Sequence, residues 1–234
     1  ALALEQHQAR LSACAALGHG AYAPQLDPLE FSAQVNGALY PLSVGRTYVY
    51  ESQTSAGLER IESLVLDRVL VIAGIPCRTV SNVETLDGVL KEHTLDWFSQ
   101  RADGAVWYFG EVSQEFEDGI LISMDGSWRA GRDGAKPGVQ IPALPQLGDV
   151  YRMEFRLGQA EDLARVVAVQ QTVTVPAGTF TDCVAIEEWS PLDIRELVMK
   201  GTSRLKQKTS SEPSRVLRKS TDDPQAPPWY KVEQ

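Results

Sequence analysis

The chain has 234 residues, is 43% hydrophobic and carries a formal net charge of −9, which supplies the apolar content for a packed core of domain size. The charge is uneven: residues 201–234 hold seven Lys/Arg against four Asp/Glu, and residues 1–200 hold fifteen against twenty-seven. An acidic body without a basic stripe argues against nucleic-acid binding by the main domain, and no apolar run reaches the roughly 18 residues of a spanning helix.

The first residue is Ala1, which reads as a processed or trimmed terminus. Residues 2–16 are rich in Ala and Leu and predict a short helix, ended by Gly18 and Gly20. Leu11-Ser12-Ala13-Cys14 has the form of a lipobox, but Glu5, His7 and Arg10 stand where an apolar signal segment belongs, so the match reads as accidental. The organisation expected is a helix and arm over 1–34, an antiparallel β-domain over 35–200 and a basic, Pro/Ser-rich tail over 201–234, with flexibility expected of that polar tail.

From Arg46 onward, runs of β-branched and aromatic residues alternate with turn residues every 8–12 positions, the pattern of successive hairpins. The expected strands are RTYVYES, ERIESLVLDRVLVI, CRTVSNVETL, VLKEHTLDWFSQ, AVWYFGEV, GILISM, DVYRMEFR, ARVVAVQQTVTV, DCVAIEEW and RELVMKG. Ala73-Gly74, Asp87-Gly88, Asp103-Gly104, Asp118-Gly119, Asp125-Gly126 and Pro176-Ala177-Gly178 supply the turns. EDLARVVAV fits a helical face as well as a strand. Residues 126–148, rich in Gly and Pro, read as a long loop crossing the sheet.

Chemistry concentrates in DWFSQRADGAVWYFGE, Asp96 to Glu111, which has five aromatic rings in sixteen residues. Strand alternation puts Lys91, His93, Leu95 and Trp97 on one face and Glu92, Thr94, Asp96 and Phe98 on the other. The Asp103-Gly104 turn then lets Trp97 and Trp107 approach as cross-strand or diagonal neighbours. Such rings fill β-cores without any ligand. The functional alternative is a groove floored by Trp97, Trp107 and Trp128, with Tyr108 beside them, and rimmed by Arg152, Glu154, Glu161 and Asp162. Arg152, Glu154 and Arg156 are expected on one face of a single strand. A groove of this kind requires at least two of the indoles to be partly exposed.

Three cysteines without CxxC or Cys/His spacing offer no structural zinc site. Cys77 and Cys183 are the pair to test for a disulfide, with buried free thiols as the alternative. One histidine, His93, lies beyond residue 24, and no nucleophile elbow, Walker A or dinucleotide-binding glycine pattern is present, so no catalytic residue, cofactor or metal is assigned. Paired acids such as Glu154 and Glu161 keep a carboxylate-dependent hydrolase open.

The strings DWFSQRADGAVWYFGE, GSWRAGRDGAKPGVQIPALPQLGDVYRMEF, GQAEDLA, VTVPAGTF and EEWSPL resemble, in order and spacing, a family of uncharacterised bacterial secreted or lipid-anchored β-rich proteins. The likeness runs from about Val35 to Leu192, after which the sequence departs from the pattern. VPAGTF is also similar to a turn in lipoprotein-carrier-like envelope proteins, a fold-level likeness that implies a strongly curved antiparallel sheet, a half-barrel or flattened barrel. The combined expectation is a mainly β, extracytoplasmic (periplasmic or secreted) binding or envelope protein. It is not expected to be an enzyme, and its groove would take a small amphipathic or lipid-like ligand or an envelope component. A purely structural module is the third alternative.

Overall fold

The computed structural model describes residues 2–192 and, by backbone alone, the short strands at 216–219 and 229–231. Helix α1 (Leu2–Leu17) comes first, followed by an extended arm and a single 3₁₀ turn, Pro28–Glu30, whose N-cap Asp27 accepts from the Leu29 N–H at 3.0 Å. Among the described residues no helix is long and apolar enough to cross a membrane.

The expected hairpins follow. Strands β1 (Phe31–Ser32), β2 (Thr47–Thr54), β3 (Gly57–Ile72), β4 (Ile75–Leu86), β5 (Val89–Arg101) and β6 (Val106–Glu117) lead to a run of shorter ones: β7 (Ile120–Ser123), β8 (Trp128–Arg129), β9 (Lys136–Ile141), β10 (Val150–Arg152) and β11 (Glu154–Phe155). Long strands β12 (Leu163–Val175) and β13 (Gly178–Trp189) then precede β14 (Val216–Lys219) and β15 (Trp229–Lys231). The two-residue turns work as their sequences require. Ala73-Gly74, Asp87-Gly88 and Asp118-Gly119 all take positive φ at both positions, the conformation whose twist matches the flanking strands.

Eleven strands form one strongly curved half-barrel sheet in a single, mainly β domain, with the path β11-β9-β6-β5-β4-β3-β2-β14 and β1, β7 and β8 attached at its margins. A second sheet has the order β10-β12-β13-β15. The EDLARVVAV segment therefore resolves as strand: Leu163, Ala164 and Val166 are buried while Arg165 and Val167 are exposed, a period of two and not 3.6.

Three sequence expectations change. Residues 126–148 are not a plain crossing loop: β8 and β9 lie within them and pair with the free edge of β6. DVYRMEFR is not one strand, because β10 joins the smaller sheet and β11 the larger. Cys77 and Cys183 are not joined: both are buried free thiols, on β4 of one sheet and β13 of the other, with their Sγ atoms lying 3.4 Å from the Ile75 carbonyl and 3.5 Å from that of Phe180. The RELVMKG expectation lies outside the described residues. Of the tail, 216–219 pairs antiparallel with β2 and 229–231 pairs parallel with β13.

The core has an aromatic layer on each face of the large sheet. On one face Phe31 meets Trp107 and Phe109 edge-on, at 6.0 and 5.7 Å between centroids. On the other a chain runs Tyr40–Phe98–Tyr108–Trp128, at 5.4, 4.9 and 5.3 Å. Offset and edge-on pairs of this kind stabilise by about 0.5–1.5 kcal/mol each beyond their burial.

Candidate functional site

Strands β5 and β6 pair with Phe98 opposite Tyr108 and Asp96 opposite Glu111. Two steps separate the residues on β5 and three separate those on β6, so Phe109-Gly110 is a β-bulge. Regular alternation would send Tyr108 and Glu111 to opposite faces. The bulge restores both to the face of Asp96. Its position depends on glycine: Gly110 has φ +135°, and a Cβ there would lie 2.4 Å from the Trp128 carbonyl oxygen and 2.8 Å from Arg129 Cα. The absence of a side chain admits β8, which places Trp128 opposite Glu111.

A second glycine brings in Glu154. A Cβ on Gly138 would sit 2.3 Å from the Met153 backbone, so the chain can cross β9 there only because position 138 is bare. The crossing turns Glu154 inward to burial.

The same face continues across the neighbouring strands. Register places Asn82 opposite Thr94, Glu84 opposite Glu92 and Ile61 opposite Glu84. These side chains, with Asp96 and Glu111, line a hollow of about 240 Å³. Tyr108 donates its hydroxyl to Asp96 Oδ1 at 2.6 Å, and Asn82 donates its amide to Oδ2. Thr94 and Ser113 donate to Glu92 Oε1 at 2.5 and 2.9 Å.

Four acids on one face of a sheet, with Glu154 close behind, set the electrostatics. Burial pushes the Asp96 carboxyl up to about 7, with the Glu92 charge adding to it and the bonds from Tyr108 and Asn82 opposing it. Burial raises Glu111 to about 9, aided by the charges of Asp96 and Glu154. Glu154 rises to about 8 through burial and the charge of Asp162. Trp128 Nε1 lies toward Glu154 and lowers its proton affinity but falls short of hydrogen-bond geometry, which leaves a buried indole N–H without an acceptor. Near neutral pH Asp96, Glu111 and Glu154 therefore hold protons that exposed carboxyls lose.

The groove expected from the sequence is rearranged. Trp97, Trp107 and Trp128 are only 6%, 7% and 3% exposed, so no two of them offer a ring face to a ligand. They also do not share a floor. Trp107 is opposite Ser99 and lies diagonally from Trp97 on one face, whereas Trp128 is on the other, with Tyr108. Burial of large rings between the sheet and the segments covering it outweighs leaving them wet.

Arg152, Glu154 and Arg156 part company at the break between β10 and β11. Arg152 stacks over Tyr22 and Phe155, at 5.6 and 5.1 Å, and Arg156 donates to the Ser127 carbonyl at 2.9 Å. Glu161 does not rim the hollow. It receives both Nε and Nη2 of Arg10, at 2.8 and 2.5 Å, and the Gly158 N–H at 2.6 Å. Burial alone would raise its proton affinity, but these donors hold it below the usual carboxylate value. Asp162 stays near the cluster, where its backbone carbonyl accepts from Met153 N at 2.9 Å.

Asn82 and Glu84 were missed in the sequence. The Asp87-Gly88 turn pairs Leu86 with Val89, but a one-residue register shift between Glu84 and Thr85 then sets Glu84 opposite Glu92 and Asn82 opposite Thr94, where the turn alone gives Lys91 and His93. Among the described residues no group of three or more His, Cys, Asp or Glu side chains is placed to hold a metal ion. Comparison with family models, curated proteins and solved structures found no match to the chain.

Proposed function

We propose that the protein binds a small amphipathic molecule with a cationic head, and that the acid-lined hollow receives that head. The observation that carries this reading is the convergence of Glu84, Glu92, Asp96 and Glu111 on one hollow. Burial and then the neighbouring like charges raise the proton affinity of Asp96 and Glu111, and a bound cation relieves the repulsion that protons otherwise relieve. Ile61 in the lining, with Tyr50 beside it in register on β2, supplies apolar surface for the ligand body. This refines the expectation of an amphipathic ligand by giving its head a sign.

Calorimetric titration with octylammonium, octanol and octanoate tests the reading. Octylammonium should bind saturably and release protons as the carboxyls ionise beside it, so the heat should depend on the buffer's ionisation enthalpy. Asp96→Asn and Glu111→Gln should weaken binding. Equal binding of octanol, or no binding of the amine, would sink the proposal.

The cross-strand pair supports a second reading. Asp96 and Glu111 are directly opposed, with the proton affinity of Glu111 held above that of Asp96, which is the division of labour of a general acid and a base. A carboxylate-dependent hydrolase would turn over uncharged chromogenic glycosides or esters and lose that turnover in both variants. An extracytoplasmic site of action accompanies either reading and rests on the family resemblance; fractionation of cells that express the protein from its native gene checks it.

A further inference from the structure

A second hollow, of about 330 Å³, opens on the opposite face of the large sheet, at the end carrying the β5–β6 turn. Trp107 and Val139, paired in register across β6 and β9, form part of its wall. Ala105, Pro142, Ala143 and Val150 add small apolar surfaces, and Tyr151 completes it.

Two features set this hollow apart from a packing gap. Trp107 Nε1 and Tyr151 Oη are both buried polar atoms without a hydrogen-bond partner, and both residues line the same space. Buried donors are almost always satisfied, and two orphans on one hollow point to an acceptor that the protein does not itself provide. Trp107 is more than nine-tenths buried. The phenol of Tyr151 is raised above its ordinary value by burial and then by the charges of Glu188 and Asp149, so it stays a donor.

The charges at the mouth decide what kind of acceptor fits. Arg101 is the one cation in the lining, and it is bound to Asp103 through Nε at 2.9 Å while its guanidinium covers the Trp107 ring at 5.3 Å. Asp149 is the second carboxylate of the lining and is engaged at Oδ2 by the Gln146 N–H, at 2.8 Å. With Arg101 neutralised by Asp103 and Asp149 left over, the mouth repels anions. On the wall itself Trp107 Nε1–H can only donate, so it offers nothing to an ammonium head and calls for an acceptor.

We propose that this hollow binds a small uncharged molecule through a carbonyl oxygen that accepts from Trp107 Nε1–H or Tyr151 Oη–H, with a short apolar body against Val139 and Ala143. The site is independent of the acid hollow, which lies on the other face.

N-methylpyrrolidone, a neutral amide, is the probe, and cyclohexylammonium and cyclohexanecarboxylate are its charged counterparts. In ¹⁵N-labelled, sequentially assigned full-length protein, the amide should move the Trp107 indole resonance downfield and saturably, and the charged compounds should leave it in place. Tyr151→Phe should weaken the amide roughly fivefold, the loss of about one neutral hydrogen bond. Ala143→Leu, which fills the hollow without touching a donor, should abolish the shift while leaving octylammonium binding unchanged. A Trp107 indole that does not respond, or responds equally in the wild-type protein and in both variants, would show an adventitious additive only and overturn the proposal.

Discussion

Asp96, Glu111 and Glu154 make the acid hollow sensitive to pH, with a definite sign. In the unfolded chain these carboxyls ionise near pH 4, whereas in the folded protein they hold their protons to about 7, 9 and 8 respectively. The folded state therefore binds more protons across that window, and stability falls as pH rises through it. Glu111→Gln removes one such group, so the variant should match the wild type near pH 5 and exceed it by about 1–3 kcal/mol at pH 9 in urea denaturation. A difference between variant and wild type that is the same at both pH values would show that Glu111 is solvated. Trp128 gives a second expectation at this scale. It is buried on β8 and packed edge-on against Tyr108, so Trp128→Ala should cost about 3–5 kcal/mol, although its glycine-rich surroundings read as a tolerant loop. A loss below 1 kcal/mol would contradict that packing.

At the scale of elements, two bare positions let short strands reach the site. Gly110→Ala puts a Cβ into the Trp128 carbonyl at a φ that L-residues avoid, and should cost about 3 kcal/mol or more by expelling β8. Gly126→Ala, also at positive φ but with nothing within 4 Å, should cost only about 1 kcal/mol. Equal losses in thermal melts would mean that strain at φ, and not the close approach, sets the cost. Helix α1 is held by the Arg10–Glu161 pair, in which the acid is almost wholly buried and Arg10 is about one-third exposed. Arg10→Ala strands that carboxylate, and a loss of about 3 kcal/mol is expected, the lower end for a buried pair because one partner is partly solvated. Glu161→Gln in the Arg10→Ala background should recover part of it.

For the whole molecule, the two buried thiols report on whether the sheets unfold together. Cys77 belongs to the large sheet and Cys183 to the small one, and neither is solvent-exposed in the native fold. Pulsed thiol labelling across a denaturant series, read by mass spectrometry, should expose both at one midpoint if a single cooperative unit is present. Cys14, partly exposed on α1, should label first. Separate midpoints for Cys77 and Cys183 would divide the domain in two.

The sequence by itself determined the hairpins. Asp-Gly and Ala-Gly pairs impose a local twist that needs no distant partner, and alternation along β5 puts Glu92, Thr94, Asp96 and Phe98 on one face, so these four were legible together, whereas the one-residue shift between Glu84 and Thr85 that brings Asn82 and Glu84 to them was not. Tertiary structure decided what local rules cannot carry. The bulge at Phe109-Gly110 switches the phase of β6 and brings Glu111 beside Asp96. The crossing over Gly138 splits Arg152 from Glu154 and assigns them to different sheets. Burial of Trp97, Trp107 and Trp128 turned an aromatic groove into core and left the acids to form the hollow. Each outcome depends on close approach between segments distant in the chain, and a glycine records such an approach in the sequence without naming the partner.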